Sequence, residues 1–244
     1  MTQPDAVTHP DKDAAGGIAT AAAEWSDVEQ LFGVRGEPSR CWCRFFALAG
    51  TDFAGTSPAD RKALLKDRFD GGMPAPGVLA YRDGAPVGWC AVEPRQCYPR
   101  ILRSQVLKAA GPDIAGPAGA GPDSPGNSPG TSPGNSPGEL PEAAGVWSVS
   151  CFVVSPGHRR SGVAAALLGA AVEHATAHGA TVVEGYPVDA AKRPKAGAPD
   201  LYHGTLRLFL AAGFEVVSDA VPGRAVVRLR VGPPGTVTAG AAIG

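Results

Sequence analysis

Two arginines and a glycine stand at a joint in the sequence where chemistry could be done. Residues 151–179 read CFVVSPGHRRSGVAAALLGAAVEHATAHG. An apolar run stops at Pro156, Arg159 and Arg160 follow, and an alanine-rich segment begins straight after Gly162. A strand that turns into a helix leaves the first N–H groups of that helix without partners. Those donors, at the positive end of the helix dipole, suit an anion, typically phosphate. Gly162 permits a close approach or an unusual backbone angle. The small Ala164 leaves room for a bulky ligand, and the arginines add charge. An ordinary helix start with solvated arginines fits the same residues, so residue types alone leave both readings open.

Other reactive side chains carry weaker patterns. Cys41 and Cys43, with Cys90, Cys97 and Cys151, could suggest zinc. Zinc ribbons use paired Cys-x-x-Cys spacings, however, so buried thiols and no metal are expected. His158 falls in the turn before Arg159, whereas His174, His178 and His203 show no triad spacing and are assigned no role. The basic stretches CYPRILRS (97–104) and KRPK (192–195) fit either a phosphate contact or a solvated loop.

These residues need elements to position them. EWSDVEQLFG (24–33) sets Trp25, Val28, Leu31 and Phe32 at helical spacing, and CWCRFFAL (41–48) reads as a strand. In TSPADRKALLKDRFDGG, Ser57 as N-cap, Pro58 at the first position and Gly71 as the stop predict a helix. PGVLAYRDGAPVGWCAVEP predicts two strands around an Asp83-Gly84 turn. GVWSVSCFVV (145–154) predicts a strand, and the following helix ends at Gly179. ATVVEGYPV is the next strand, DLYHGTLRLFLAAGF a helix ending at Gly213, and FEVV and AVVRLRV two further strands. The mixture, with a strand–helix–strand unit at its centre, predicts an α/β sheet.

Bulk composition bounds the rest. The chain has 244 residues, 44% of them hydrophobic, with 33 glycines and 24 prolines unevenly spread. Residues 111–138 carry Ser-Pro-Gly-(Asn/Thr/Glu) four times from Ser124, a composition with little to bury, and predict a flexible insertion. Flexible tails are expected over 1–23 and 232–244, which leaves one domain over 24–231. A net charge of −1, from 22 basic and 23 acidic residues, gives no general drive toward nucleic acid or anionic membrane. No run approaches the roughly 18 apolar residues of a membrane span, and MTQPDAVTHPDKD lacks the pattern of a signal peptide. A cytoplasmic monomer or homodimer with reduced thiols is expected.

FVVSPGHRRSGVAAALL resembles the signature of the GNAT superfamily of acyl-CoA-dependent N-acetyltransferases. In that family a strand is followed by Arg/Gln-x-x-Gly-x-Gly/Ala at a helix start, here Arg159-Arg160-Ser161-Gly162-Val163-Ala164. The order of the other elements agrees over about residues 24–231. The resemblance implies a mixed, mostly antiparallel sheet with helices on both faces and a splayed parallel strand pair at the coenzyme site. It implies that backbone N–H groups of Arg159, Arg160, Ser161, Gly162, Val163 and Ala164 hold the pyrophosphate of acetyl-CoA. The pantetheine arm would lie along Phe152, Val153 and Val154, and an amine of a small molecule or peptide would attack the thioester directly. A non-catalytic acyl-CoA-binding module and an acyltransferase of other acyl or acceptor specificity are alternatives. The strand GVWSVSCFVV has no carboxylate, so Glu184 on the next strand is the candidate base, its Val182, Val183 and Gly185 neighbours promising an apolar setting. Relatives often carry a tyrosine where this chain has Phe209, so Tyr202 is the candidate acid and Tyr186 the other choice.

Overall fold

The computed structural model describes residues 17–33, 36–71, 74–110, 145–193 and 197–232. The β-branched and aromatic runs form strands β1 (Ala19–Ala22), β2 (Gly77–Arg82), β3 (Ala85–Pro94), β4 (Val146–Val154), β5 (Val182–Gly185), β6 (Glu215–Val221) and β7 (Arg224–Arg230). They make one sheet in the order β1-β2-β3-β4-β5-β7-β6. Every neighbouring pair is antiparallel except β4 and β5, whose ends are joined by a helical crossover, as parallel neighbours require. The expected mixed, mostly antiparallel sheet with one parallel pair is the one observed.

The helices are α1 (Trp25–Phe32), α2 (Glu37–Cys41), α3 (Gly50–Gly55), α4 (Pro58–Asp70), α5 (Pro99–Leu102), α6 (Gln105–Ala109), α7 (Val163–Ala177), α8 (Ala198–Leu201) and α9 (Leu206–Ala211). They cover both faces of the sheet. Val163, Leu167, Leu168, Ala171 and Ala175 of α7 pack on Trp147, Val149 and Phe152. On the other face Val28, Leu31 and Phe32 of α1 pack with Trp42, Trp89 and Val153. Contact between β3 and α7 is so close that a Cβ on Gly88 would come within 2.7 Å of Val163 Cγ1. Ser57 caps α4 as its sequence predicts, and Asp60 returns the bond in a capping box.

Two features of β4 shape the site. Its nine residues outrun its parallel partner, which pairs only from Val146↔Val182 to Val149↔Gly185. Against β3, the register passes from Val92↔Val149 to Ala91↔Cys151, leaving Ser150 as an extra residue. Such a bulge bends the strand. Beyond Val149, therefore, β4 leaves β5 and presents an unpaired edge.

Several expectations change. CWCRFFAL is not a strand: Cys41 closes α2, and Trp42 and Cys43 turn the chain with φ of 47° and 48°. The Trp42 ring is satisfied by packing against Trp25 and Phe32, not by a place on a sheet face. DLYHGTLRLFLAAGF is two short helices, because Gly204 takes φ +76° and Thr205 caps a new start at Leu206. Ala19–Ala22, inside the expected N-terminal tail, pairs with β2 as β1. The 111–138 insertion and the stretches 1–16 and 233–244 lie outside the described residues.

Where β4 and β5 part, Phe209 is fully buried between Phe152 and Phe214. A Cβ on Gly185 would sit 2.7 Å from Phe209 Cζ and nearer still to Cε1. Gly185→Ala must therefore displace that ring, and denaturant unfolding should show a loss of about 1–3 kcal/mol, the usual cost of overpacking.

Candidate active site

The joint singled out in the sequence is a tight turn. Pro156–His158 form one 3-10 turn, the Ser161 hydroxyl donates to the His158 carbonyl at 2.7 Å, and α7 begins at Val163. Arg160 and Gly162 adopt φ of 59° and 88°, the left-handed region that glycine tolerates and arginine pays strain to enter. Gly162 stands at the N-cap and supplies no capping side chain. Its carbonyl accepts from Ala165 and Ala166, both at 3.0 Å. Among the described residues no acceptor meets the N–H groups of Arg160, Ser161, Gly162, Val163 or Ala164. A short arc of bare donors at the start of a 15-residue helix is thus open to an anion. Arg159 and Arg160 are exposed beside it.

The free edge of β4 leads away from this arc. Ser155 N–H bonds Val87 on β3, so the N–H groups of Phe152 and Val154 point the other way, toward the gap left by β5. The Phe152 N–H is held there by the Tyr202 carbonyl at 2.7 Å, and the Val154 carbonyl accepts from Arg159 Nε at 3.4 Å. Any extended ligand pairing with Phe152 must displace that Tyr202 bond. The Val153 side chain faces the opposite way from Phe152 and lines a cavity of about 270 Å³ with Cys41, Cys43, Cys151, Tyr202 and His203.

A second cavity of about 360 Å³ is lined by Arg100, Arg103, Tyr186 and Arg224 among others. Phe45, Phe46 and His203 line both, so the cavities share a wall. The β3–β4 register puts Val154 beside Gly88 and Trp147 beside Pro94. Arg100 and Arg103, which follow β3, therefore lie toward the end of the sheet opposite the α7 turn. Of the other basic stretch, Lys192 pairs with Asp219 and Arg193 with Asp200.

The surroundings of Glu184 are not apolar. Its side chain is fully buried, but Arg228 Nε lies 2.7 Å from Oε2, Arg95 Nη1 lies 3.4 Å from both oxygens, and the Tyr186 hydroxyl donates to Oε1. Of its apolar neighbours in sequence, Val183 and Gly185 belong to the opposite sheet face, because strand residues alternate, so they do not set its surroundings. Glu184 lines neither cavity; its link to the second is Tyr186, whose oxygen also lies 2.9 Å from Ser148 Oγ. Tyr202 lines the first cavity. Phe209, in the core, lines neither.

His203 is the functional candidate that sequence reading passed over. Its Nδ1 is buried without a hydrogen-bond partner, and its ring packs on Phe46 with centroids 4.6 Å apart. Burial, and then the nearby Arg224, push its pKa down to about 4, so the imidazole is neutral at pH 7. Nothing in its spacing signals this, because the helix break at Gly204 places it. Burial pushes the Cys41 thiol up to about 11, so at neutral pH it is a thiol and not a nucleophilic thiolate. Among the described residues no group of His, Cys, Asp or Glu is arranged to hold a metal ion.

The model of the acetyltransferase (GNAT) family matches residues 42–193, more than half of the sequence, and the chain belongs to that family. Solved structures match it at low identity. A Salmonella typhimurium protein determined with its cofactor acetyl-CoA is 12% identical, with 90% of this chain and 96% of that one covered and a TM-score of 0.46. A ribosomal-protein-alanine N-acetyltransferase from Brucella melitensis is 14% identical over 87% and 99% of the two chains, with a TM-score of 0.46. An N-acetyltransferase from Staphylococcus aureus Mu50 is 10% identical over 88% and 99%, with a TM-score of 0.47. No match is found among curated proteins.

Burial holds the pKa of both His174 and His203 near 4, against an ordinary value of 6.5. The unfolded chain therefore binds more protons than the folded one between those limits, and stability falls as pH drops from about 6.5 toward 4. Thermal unfolding across pH 7.5 to 4.5 should show Tm falling in that window, with a shallower fall in His174→Gln.

Proposed function

We propose that this protein transfers an acetyl group from acetyl-CoA to a primary amine. The observation that carries the reading is the arc of N–H groups from Arg160 to Ala164 that no described acceptor meets, set at the end of a strand that no neighbouring strand pairs on that side beyond Val149. The arc offers the diphosphate of the coenzyme several converging donors, with Arg159 and Arg160 adding charge. Gly162 and Ala164 keep that surface bare. The acyl arm then lies along Phe152, Val153 and Val154 and carries the thioester toward the wall shared by the two cavities.

Acetyl-CoA supplies an activated acyl carbon. The amine nitrogen bonds to that carbon, the carbon–sulfur bond breaks, the nitrogen gives up a proton and the thiolate takes one. An amine with pKa near 10 is mostly protonated at pH 7, so a proton acceptor at the attack point assists the reaction. We assign that role to His203, which is neutral, unpartnered at Nδ1 and present in both cavities. Glu184, the carboxylate singled out by sequence, acts as a positioning residue that fixes Tyr186 on the second cavity. Tyr202, which lines the first cavity, is the residue to which we assign protonation of the departing thiolate.

Acetyl-CoA should raise Tm, because a ligand that binds only the folded state stabilises it. Gly162→Glu places bulk and negative charge against the diphosphate and should abolish that shift. Gly162→Ala shares the backbone strain at φ +88°, about 1–2 kcal/mol, without the charge, and should retain most of it. Equal shifts in parent and Gly162→Glu would show that the coenzyme sits elsewhere. Thiol release across an amine panel reads the transfer itself, and His203→Asn should lower kcat about a hundredfold while the acetyl-CoA Tm shift persists.

A further inference from the structure

The second cavity is apolar in its body and cationic at its rim. Phe45, Phe46, Ile101 and Val106 supply apolar wall, and Arg100, Arg103 and Arg224 supply three guanidinium groups, while among the described residues no carboxylate lines it. Arg100 is fixed in place: its guanidinium stacks 3.9 Å from the centre of the Phe45 ring and donates to the Leu48 and Ala49 carbonyls at 3.3 and 3.4 Å. These bonds go to neutral oxygens, and among the described residues no carboxylate pairs with Arg100. Arg103 is exposed, and among the described residues no carboxylate pairs with it. Arg224 is paired with Asp200, but Asp200 is shared with Arg193 at 3.4 Å, so that cluster also carries excess positive charge.

We infer that this cavity binds the acceptor and that the acceptor is a small amine bearing an anionic group, a carboxylate or a phosphate. The inference rests on the acetyl-transfer reading for the chemistry at the amine, but the charge of the cavity stands apart from it. A guanidinium held by stacking, with N–H edges still to offer, is preorganised for the planar fork of a carboxylate or the oxygens of a phosphate. The volume, about 360 Å³, suits a metabolite-sized molecule and not a folded protein surface. With the anion at Arg100 and Arg103 and an apolar body along Phe46, Ile101 and Val106, the amine end reaches the wall at His203. There the second cavity meets the one that follows β4.

The test compares matched amines by thiol release from acetyl-CoA: phenylalanine against 2-phenylethylamine for the carboxylate, and O-phosphoethanolamine against ethanolamine for the phosphate. The anionic member of at least one pair should show a kcat/KM about tenfold or more higher, the gain of one or two charge-assisted hydrogen bonds. Whichever pair responds identifies the anion. Arg103→Glu should cut that ratio about tenfold or more, chiefly through KM, whereas Arg103→Lys should keep most of it; Arg103 is exposed, so neither change threatens the fold. Equal use of both members of each pair, or a ratio untouched by Arg103→Glu, overturns the inference. If none of these amines is acetylated, calorimetry on CoA-saturated protein decides the point without turnover. Tighter binding of N-acetylphenylalanine than of N-acetyl-2-phenylethylamine, lost in Arg103→Glu, upholds the anion site even as the transfer reading fails. Equal binding of the two rejects it.

Discussion

The structure depends on the parting of β4 from β5. Up to Val149 and Gly185 the two strands form a parallel ladder, and beyond that point the ladder stops while β4 continues to Val154. Two causes combine. Ser150 is an extra residue against β3 and bends β4 outward, while the Phe209 ring is wedged over Gly185, with Phe152 on its far side. Backbone groups that would be satisfied in a continuous sheet are released at Phe152 and Val154. An unpaired backbone polar group inside a protein is costly unless something meets it. Here the Tyr202 carbonyl meets the Phe152 N–H, at a distance of 2.7 Å. The end of β4, the turn that follows it and the first cavity, lined by Cys151 and Val153, adjoin that opening.

Charge is managed differently at the two ends of β4. At its start, Glu184 and Glu93 are buried under arginines: Arg95 and Arg228 hold the first, and Arg68 and Arg44 the second. Each carboxylate takes two guanidinium partners, so the desolvation cost of a buried ion is offset by several bonds rather than one. At the helix turn, by contrast, Arg159 and Arg160 are exposed and the local N–H donors are unpartnered. Arg95, Arg228, Arg68 and Arg44 tie buried carboxylates to the sheet, whereas Arg159 and Arg160 stand at the surface. This division is the physical ground for treating the α7 turn and the Arg100–Arg103 rim as binding surfaces and the Glu184 cluster as scaffold.

Much of this was legible from local signals. The Asp83-Gly84 turn, the Ser57–Asp60 capping box and the strand-to-helix joint at Gly162 are each written in a few adjacent residues, and the fold places them where those residues predict. What could not be read depends on tertiary context. CWCRFFAL carries strand composition, yet Trp42 and Cys43 turn in left-handed conformations because aromatic packing on α1 outweighs that preference. The apolar sequence neighbours of Glu184 say nothing of Arg95, 89 positions away, or of Arg228, 44 positions away. His203 gains its place from a helix break at Gly204 and from burial against Phe46, neither of which has a spacing signature.

We propose that the opening between β4 and β5, with the turn at the start of α7, receives an acyl-coenzyme. Amide hydrogen exchange with and without coenzyme A addresses it residue by residue, since bare N–H groups exchange quickly until an acceptor covers them. Coenzyme A should slow exchange at Ser161, Gly162, Val163 and Ala164 and at Val154, with little change on α1 or α4. Unaltered exchange across 160–164 in protein saturated with coenzyme A, together with new protection elsewhere, would show that the coenzyme binds at another place.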